Sequence, residues 1–107
     1  MIVTEALCSL DDLPDAAPKL FKTGNRQIAI VRIGAEAYAI DAWCPHWNGP
    51  LGEGKVSAAR REIECPWHRF RFSLTDGACV ATNNRPPATT FPVRIENGNV
   101  FVEIPAS

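Results

Sequence analysis

The sequence predicts an all-β domain, built as a small antiparallel sandwich or barrel. Short segments alternate apolar and polar side chains, as half-buried strands do. Turn signals separate them, and the clearest is Asn97-Gly98, which favours a type I′ hairpin. No stretch keeps a helical period, and we find no internal repeat. Many short strands joined by regular turns are typical of sandwiches and barrels.

The first part of the chain predicts strands separated by two turns and one longer loop. Gly24-Asn25 and Gly34-Ala35 are the turn signals. Acidic residues and two prolines between Ser9 and Pro18 predict a loop with one helical turn. The strands are predicted at residues 2–8, 20–23, 27–33 and 36–41.

Hairpins are predicted for the second part of the chain. Residues 55–65 form one, with a turn at Ser57–Arg60, and Asp76-Gly77 predicts a tight turn in the next. Residues 82–90 are polar and rich in proline, which predicts a loop. The remaining strands are predicted at residues 62–64, 70–74, 78–81, 93–96 and 100–104.

Composition limits the classes of protein to consider. The chain has 107 residues, which suits a single domain spanning 1–107. Its net charge is −1, which gives no argument for a nucleic acid or lipid partner. No apolar run approaches the ~20 residues of a membrane span. No basic region precedes an apolar stretch near Met1, so we expect a cytoplasmic protein without a signal peptide.

Two short stretches carry the residues for a metal site. Cys44-Pro45-His46 and Cys65-Pro66-Trp67-His68 each offer one thiolate and one imidazole, and the chain has no other histidine. Eighteen residues lie between His46 and Cys65. Common zinc fingers pair Cys with Cys and His with His. Mixed arms suit a site with two unlike metal atoms, one held by two Cys and the other by two His.

This pattern, C-x-H followed by C-x-x-H, resembles the signature of Rieske-type ferredoxins. The similarity runs from about residue 27 to 104, and Thr75-Asp76-Gly77 and Pro86-Pro87-Ala88 lie where the family has a turn and a proline-containing third loop. The resemblance implies the Rieske-type iron–sulfur fold. Two hairpin loops, at about 43–52 and 65–73, would hold the cluster at one end of the domain.

The resemblance also implies the ligands, with one Rieske-type [2Fe–2S] cluster per chain. Cys44 and Cys65 would bind one iron, and His46 and His68 the other. Two ferric ions, two sulfides and two thiolates sum to zero charge with neutral histidines. Adding an electron to a neutral centre costs less than adding one to a dianion. Rieske potentials accordingly lie at about −150 to +300 mV, against about −400 mV for plant-type ferredoxins.

Four positions resemble the low-potential branch of the family. High-potential members place disulfide cysteines where this chain has Gly49 and Trp67, and hydroxyl residues where it has Phe70 and Phe72. Hydroxyl hydrogen bonds to the sulfurs favour reduction, so their absence implies a midpoint around −150 mV. The cysteines outside the motif, Cys8 and Cys79, are either buried thiols, which we favour, or a disulfide.

Aromatic and basic residues near the ligands have two interpretations each. Trp43 ends a strand and is predicted to pack in the core, whereas Trp47 and Trp67 favour a shield or docking patch around the cluster. The arginines either form a basic rim that steers an acidic partner or belong to an ordinary solvated face. They are Arg60, Arg61, Arg69 and Arg71.

The resemblance implies an electron carrier between a flavin-dependent reductase and a terminal oxygenase. No histidine remains for a catalytic mononuclear iron, so we expect no enzyme activity and no small-molecule substrate. One alternative is the small Rieske subunit of a larger reductase, similar to the small nitrite reductase subunit. The other is a structural zinc module with the same four ligands.

Overall fold

A computed structural model describes residues 2–23, 26–44, 49–67, 69–80 and 87–105, with side chains for all except 2–5 and 105. Ten strands in these ranges form three antiparallel sheets. The strands are β1 (Ile2–Ser9), β2 (Pro18–Thr23), β3 (Arg26–Ile33), β4 (Glu36–Asp41), β5 (Lys55–Ser57), β6 (Glu62–Glu64), β7 (Arg71–Ser73), β8 (Thr90–Phe91), β9 (Val93–Glu96) and β10 (Asn99–Pro105).

The sheet β1-β10-β9 contains the predicted Asn97-Gly98 hairpin. Asn97 and Gly98 have φ values of 53° and 78°, as both central residues of a type I′ turn require. Glu96 pairs with Asn99 across that turn, and β1 pairs antiparallel with β10 along its length. Alternate residues of β10, Val100, Val102 and Ile104, are buried.

The central sheet, ordered β2-β3-β4-β8, has an apolar core on both of its faces. Ile28 and Ile30 of β3 pack into the core shared with the first sheet. Ala29 and Val31, on the opposite face, pack into a second core that also contains Cys44 and Cys65. A strand covered on both faces reads as an unbroken apolar run, as residues 28–31 do. This sheet therefore backs the site described below.

The third sheet, β5-β6-β7, covers the second core. Its inward row is Val56, Ile63 and Phe72, which are paired in register across the three strands. The turn at its far tip is fixed by Arg61, whose Nε donates to the Tyr38 hydroxyl at 2.8 Å and whose Nη2 pairs with Glu36 at 3.2 Å. The hydrogen bond to Tyr38, followed by that to Glu36, raises the pKa of Arg61.

The predicted all-β class is confirmed, with local differences. Strand β8 and a 3₁₀ turn at Leu51–Glu53 were not predicted. The 3₁₀ turn at Leu10–Asp12 agrees with the helical turn predicted in that loop. The strand predicted at 78–81 is reduced to a single bridge between Phe72 and Cys79. The last residue of that predicted strand and the predicted Gly24-Asn25 turn lie outside the described residues. In the part of the chain described, no helix is long and apolar enough to cross a membrane.

Candidate metal centre

Cys44 and Cys65 are brought to the same core from two different sheets. Cys65 directly follows β6, and Cys44 lies shortly after β4. Cys65 is 0% exposed and Cys44 is 1% exposed. The Cys44 N–H donates to the Gly49 carbonyl at 2.8 Å, and the Cys65 N–H donates to the Phe70 carbonyl at 2.7 Å. Each cysteine thus closes a loop through its own backbone, which fixes where its side chain begins.

Gly49 brings the two loops into contact. A Cβ added to Gly49 would lie 2.9 Å from the Cys65 Sγ and 3.2 Å from the Trp67 Cβ. Real Cβ atoms essentially never approach a heavy atom so closely, so only glycine fits here unless its neighbours shift. The first loop therefore lies directly against the second loop at the sulfur of Cys65, as the prediction of two neighbouring cluster loops requires.

The residues present fit a cluster. Two buried cysteines, held by backbone hydrogen bonds in adjoining loops, supply the soft thiolate ligands that iron–sulfur clusters use. His46 and His68 lie outside the described residues, as do Pro45 and Trp47, so the four-ligand assignment stays a prediction. Within the described ranges alone, no group of three or more Cys, His, Asp or Glu side chains gathers around one point.

Residues outside the motif support the first loop, and the sequence did not predict them. The Asp41 carboxylate accepts the Trp43 N–H at 3.0 Å and lies 3.9 Å from Arg26. The Gly52 N–H donates to the Ala42 carbonyl at 2.9 Å. At Gly54 a side chain would overlap the Glu64 carbonyl oxygen. The contact between Asp41 and Trp43 has a sequence signal. An Asp at the end of a strand can accept the backbone N–H of the residue two positions later.

Phe70 and Phe72 lie beside the cysteines. Phe72 is 0% exposed and belongs to the same core as Cys44 and Cys65. Phe70 is half-buried and packs against that core, and its carbonyl receives the Cys65 N–H. Both rings thus lie in or beside the core that contains Cys44 and Cys65, where hydroxyl groups would change the reduction potential of a cluster.

The structure divides the arginines between the two ends of the third sheet. Arg60 and Arg61 lie at the far tip, where the four residue steps from Arg61 along β6 to Cys65 place them roughly 13 Å or more from the second loop. Arg71 pairs with Glu62 at 3.4 Å. Arg69 is exposed within the second loop and has a φ of 57°. A basic rim at the site would therefore consist of Arg69 with a partly neutralised Arg71.

The tryptophans and remaining cysteines complete the surroundings. The prediction that Trp43 packs in the core is wrong, since 47% of it is exposed. Trp67 is 51% exposed, which agrees with a surface role. All four cysteines are described, and Cys8 and Cys79 are free thiols rather than a disulfide; Cys79 is buried, as predicted, whereas Cys8 is half-buried. Burial raises the pKa of the Cys8 thiol, although Lys19 acts in the opposite direction.

The fold and the two adjoining loops define a small antiparallel β domain with two buried cysteines in one core. The chain belongs to the Rieske-like [2Fe-2S] domain family, whose model matches residues 4–103. The predicted family and its cofactor, a Rieske-type [2Fe–2S] cluster, are thereby confirmed.

Known proteins similar to the chain agree with this membership. The 3-phenylpropionate/cinnamic acid dioxygenase ferredoxin subunit of Escherichia coli (strain K12) is 33% identical over 98 residues, which are 92% of this chain and 91% of that protein. The ferredoxin of carbazole 1,9a-dioxygenase from Nocardioides aromaticivorans IC177 superimposes with a TM-score of 0.87 at 30% identity, covering 94% and 96% of the two chains. A putative NADH-dependent nitrite reductase small subunit from Mycobacterium tuberculosis also gives 0.87, at 21% identity and 100% and 99% coverage, which shows the shared fold alone.

Proposed function

We propose that this protein is a one-electron carrier, passing electrons from a flavin-dependent reductase to a terminal oxygenase. The observation that carries the proposal is the similarity, over more than nine-tenths of the chain, to ferredoxin components of dioxygenase systems. In this role the chain has no substrate of its own and is not an enzyme. A single domain spanning 1–107 and a cytoplasmic location stay predictions.

We assign Cys44 and Cys65 to one iron, and His46 and His68 to the other. When bound, such a cluster supplies a one-electron couple. Burial of the two cysteines supports the assignment, because it keeps water from the sulfurs. In the proposed arrangement the two histidines face the surface, where a protein partner can approach the iron that takes the electron.

The second candidate function is that of a small subunit in a larger reductase. The full-length likeness to the nitrite reductase small subunit favours it, but at 21% identity that likeness reaches the fold and no further. The ferredoxin of carbazole dioxygenase is similar over a comparable length at 30% identity. A structural zinc module is disfavoured because the chain belongs to an iron–sulfur family.

Purification without oxygen tests the function directly. We expect a red-brown protein that gives a Rieske-type electron spin resonance signal on reduction, with a midpoint of about −150 mV. It should also transfer electrons from a flavin reductase to a ring-hydroxylating oxygenase. A colourless protein with stoichiometric zinc would falsify the cluster assignment, and transfer only to a sirohaem reductase would favour the subunit role.

Phe72→Tyr tests the ring position that tunes the potential. Phe72 is fully buried in the same core as the cysteines, so a hydroxyl there can donate to a cluster sulfur. A hydrogen bond to a charged group contributes roughly 1.5–3 kcal/mol, of which only the difference between redox states counts. We expect the midpoint to rise by tens of millivolts, since about 1.4 kcal/mol corresponds to roughly 59 mV. Voltammetry of Phe91→Tyr, a buried ring in the other core, is the control and should show no change.

A further inference from the structure

We propose that the Trp67 side chain is a positioning residue that clamps the two cluster loops together. The inference rests on the proposed function, since it concerns how the chain holds its cluster. In this proposal the indole ring of Trp67 joins two loops that no disulfide connects. Position 49, which faces Trp67 across the loops, is a glycine.

The contact between Gly49 and Trp67 carries the proposal. The three atoms nearest to a Cβ built on Gly49 are the Cys65 Sγ at 2.9 Å and the Trp67 Cβ and Cε3, both at 3.2 Å. The ring of Trp67 thus fills the space that the missing side chain leaves. Gly49 is buried although Trp67 is 51% exposed, so the covered part of the indole lies on the first loop beside the sulfur.

This contact differs in kind from the hydrogen bonds of the loops. The bond from Cys44 to Gly49 and the bond from Cys65 to Phe70 each close one loop on itself. The packing of Trp67 on Gly49 joins one loop to the other. Removing the ring would take away the contact with Gly49 beside the Cys65 Sγ and let the loops separate. Because apolar contact area sets the strength of such a clamp, we expect cluster loss to accelerate about tenfold.

Trp43 provides a matched control. It is exposed to nearly the same extent, 47% against 51%, and it too is close to a ligand cysteine in sequence. The interaction that fixes it is made by its backbone N–H, which donates to Asp41. Truncating its side chain therefore removes similar exposed aromatic area without removing the contact to Gly49.

The experiment compares Trp67→Ala, Trp67→Phe and Trp43→Ala with the parent protein. One measurement is the rate at which the visible absorbance of the cluster disappears under a chelator. The second is hydrogen exchange of the Cys65 and Cys44 amides in metal-free protein, which reports the loops without the cluster. We expect Trp67→Ala to lose its cluster about tenfold faster and to exchange both amides faster. Trp67→Phe, which keeps a ring, should restore most of both properties, and Trp43→Ala should match the parent.

Equal behaviour of Trp67→Ala and Trp43→Ala would overturn the proposal, as would a Trp67→Phe variant no better than Trp67→Ala. A Trp67→Ala protein that takes up no cluster supports the proposal only if Trp67→Phe takes one up; if neither does, the proposal fails. A parent protein that holds zinc and no iron would instead refute the proposed function. In that case the exchange measurement still decides whether Trp67 clamps the loops.

Discussion

Replacing either of the proposed ligand cysteines, Cys44 or Cys65, with serine is expected to leave the protein without a stable cluster. In Cys44→Ser and Cys65→Ser a hydroxyl, which stays protonated and is a harder ligand, takes the place of a thiolate. Iron and sulfide content, with the visible spectrum after anaerobic reconstitution, measures the loss. We expect less than about a tenth of the parent's cluster, since a soft ligand is lost from an otherwise unchanged site.

Cys79→Ser is the control for this experiment. Cys79 is 8% exposed and belongs to the same core as Cys44 and Cys65, so the serine imposes a similar burial cost on the fold. It should retain the cluster. A stable cluster in Cys65→Ser, or a cluster lost equally in Cys79→Ser, would contradict the ligand assignment.

Gly49→Ala is expected to lower cluster content nearly as severely. Its methyl group would meet the Cys65 Sγ at 2.9 Å, and the next two atoms are the Cβ and the ring Cε3 of Trp67 rather than a flexible chain end. Overpacking of this kind typically costs 1–3 kcal/mol. Here the strain falls on a proposed ligand sulfur, so we expect slow or incomplete assembly with a shifted visible spectrum.

Gly34→Ala shows whether this effect is specific. Gly34 has a φ of 63°, and nothing lies within 4 Å of an added Cβ. Alanine there suffers backbone strain of about 1–2 kcal/mol without touching the loops. Both variants should melt at lower temperature, but only Gly49→Ala should lose cluster. An intact spectrum for Gly49→Ala would mean that the loops are further apart than described.

Local patterns predicted most of the strands, and they drew attention to Cys44 and Cys65, which the structure buries in one core. Alternation and turn dipeptides depend on neighbouring residues, so the Asn97-Gly98 hairpin and the strand at Glu36–Asp41 were predicted correctly. Ligand spacing singled out Cys44 and Cys65, since few other arrangements use mixed Cys and His arms.

The features that were missed depend on contacts between distant parts of the chain. Arg61 bonds to Tyr38, 23 residues away, and this contact fixes a turn far from the loops. Strand β8 pairs for only two residues before Pro92 interrupts it, which leaves almost no periodic signal. The error at Trp43 is local instead. Trp43 was predicted to pack in the core because it ends a strand, but the Asp41 carboxylate, two residues earlier, accepts its N–H and its side chain is exposed.

The closed loops of Cys44 and Cys65 also bear on the speed of electron transfer. Each cysteine amide is already bonded to a carbonyl of its own loop, at 2.8 and 2.7 Å. A backbone fixed in this way has little freedom to relax when a charge arrives beside it. The reorganisation energy of the proposed carrier should therefore come mainly from the solvent and the partner surface, and docking that expels water would accelerate transfer in both directions.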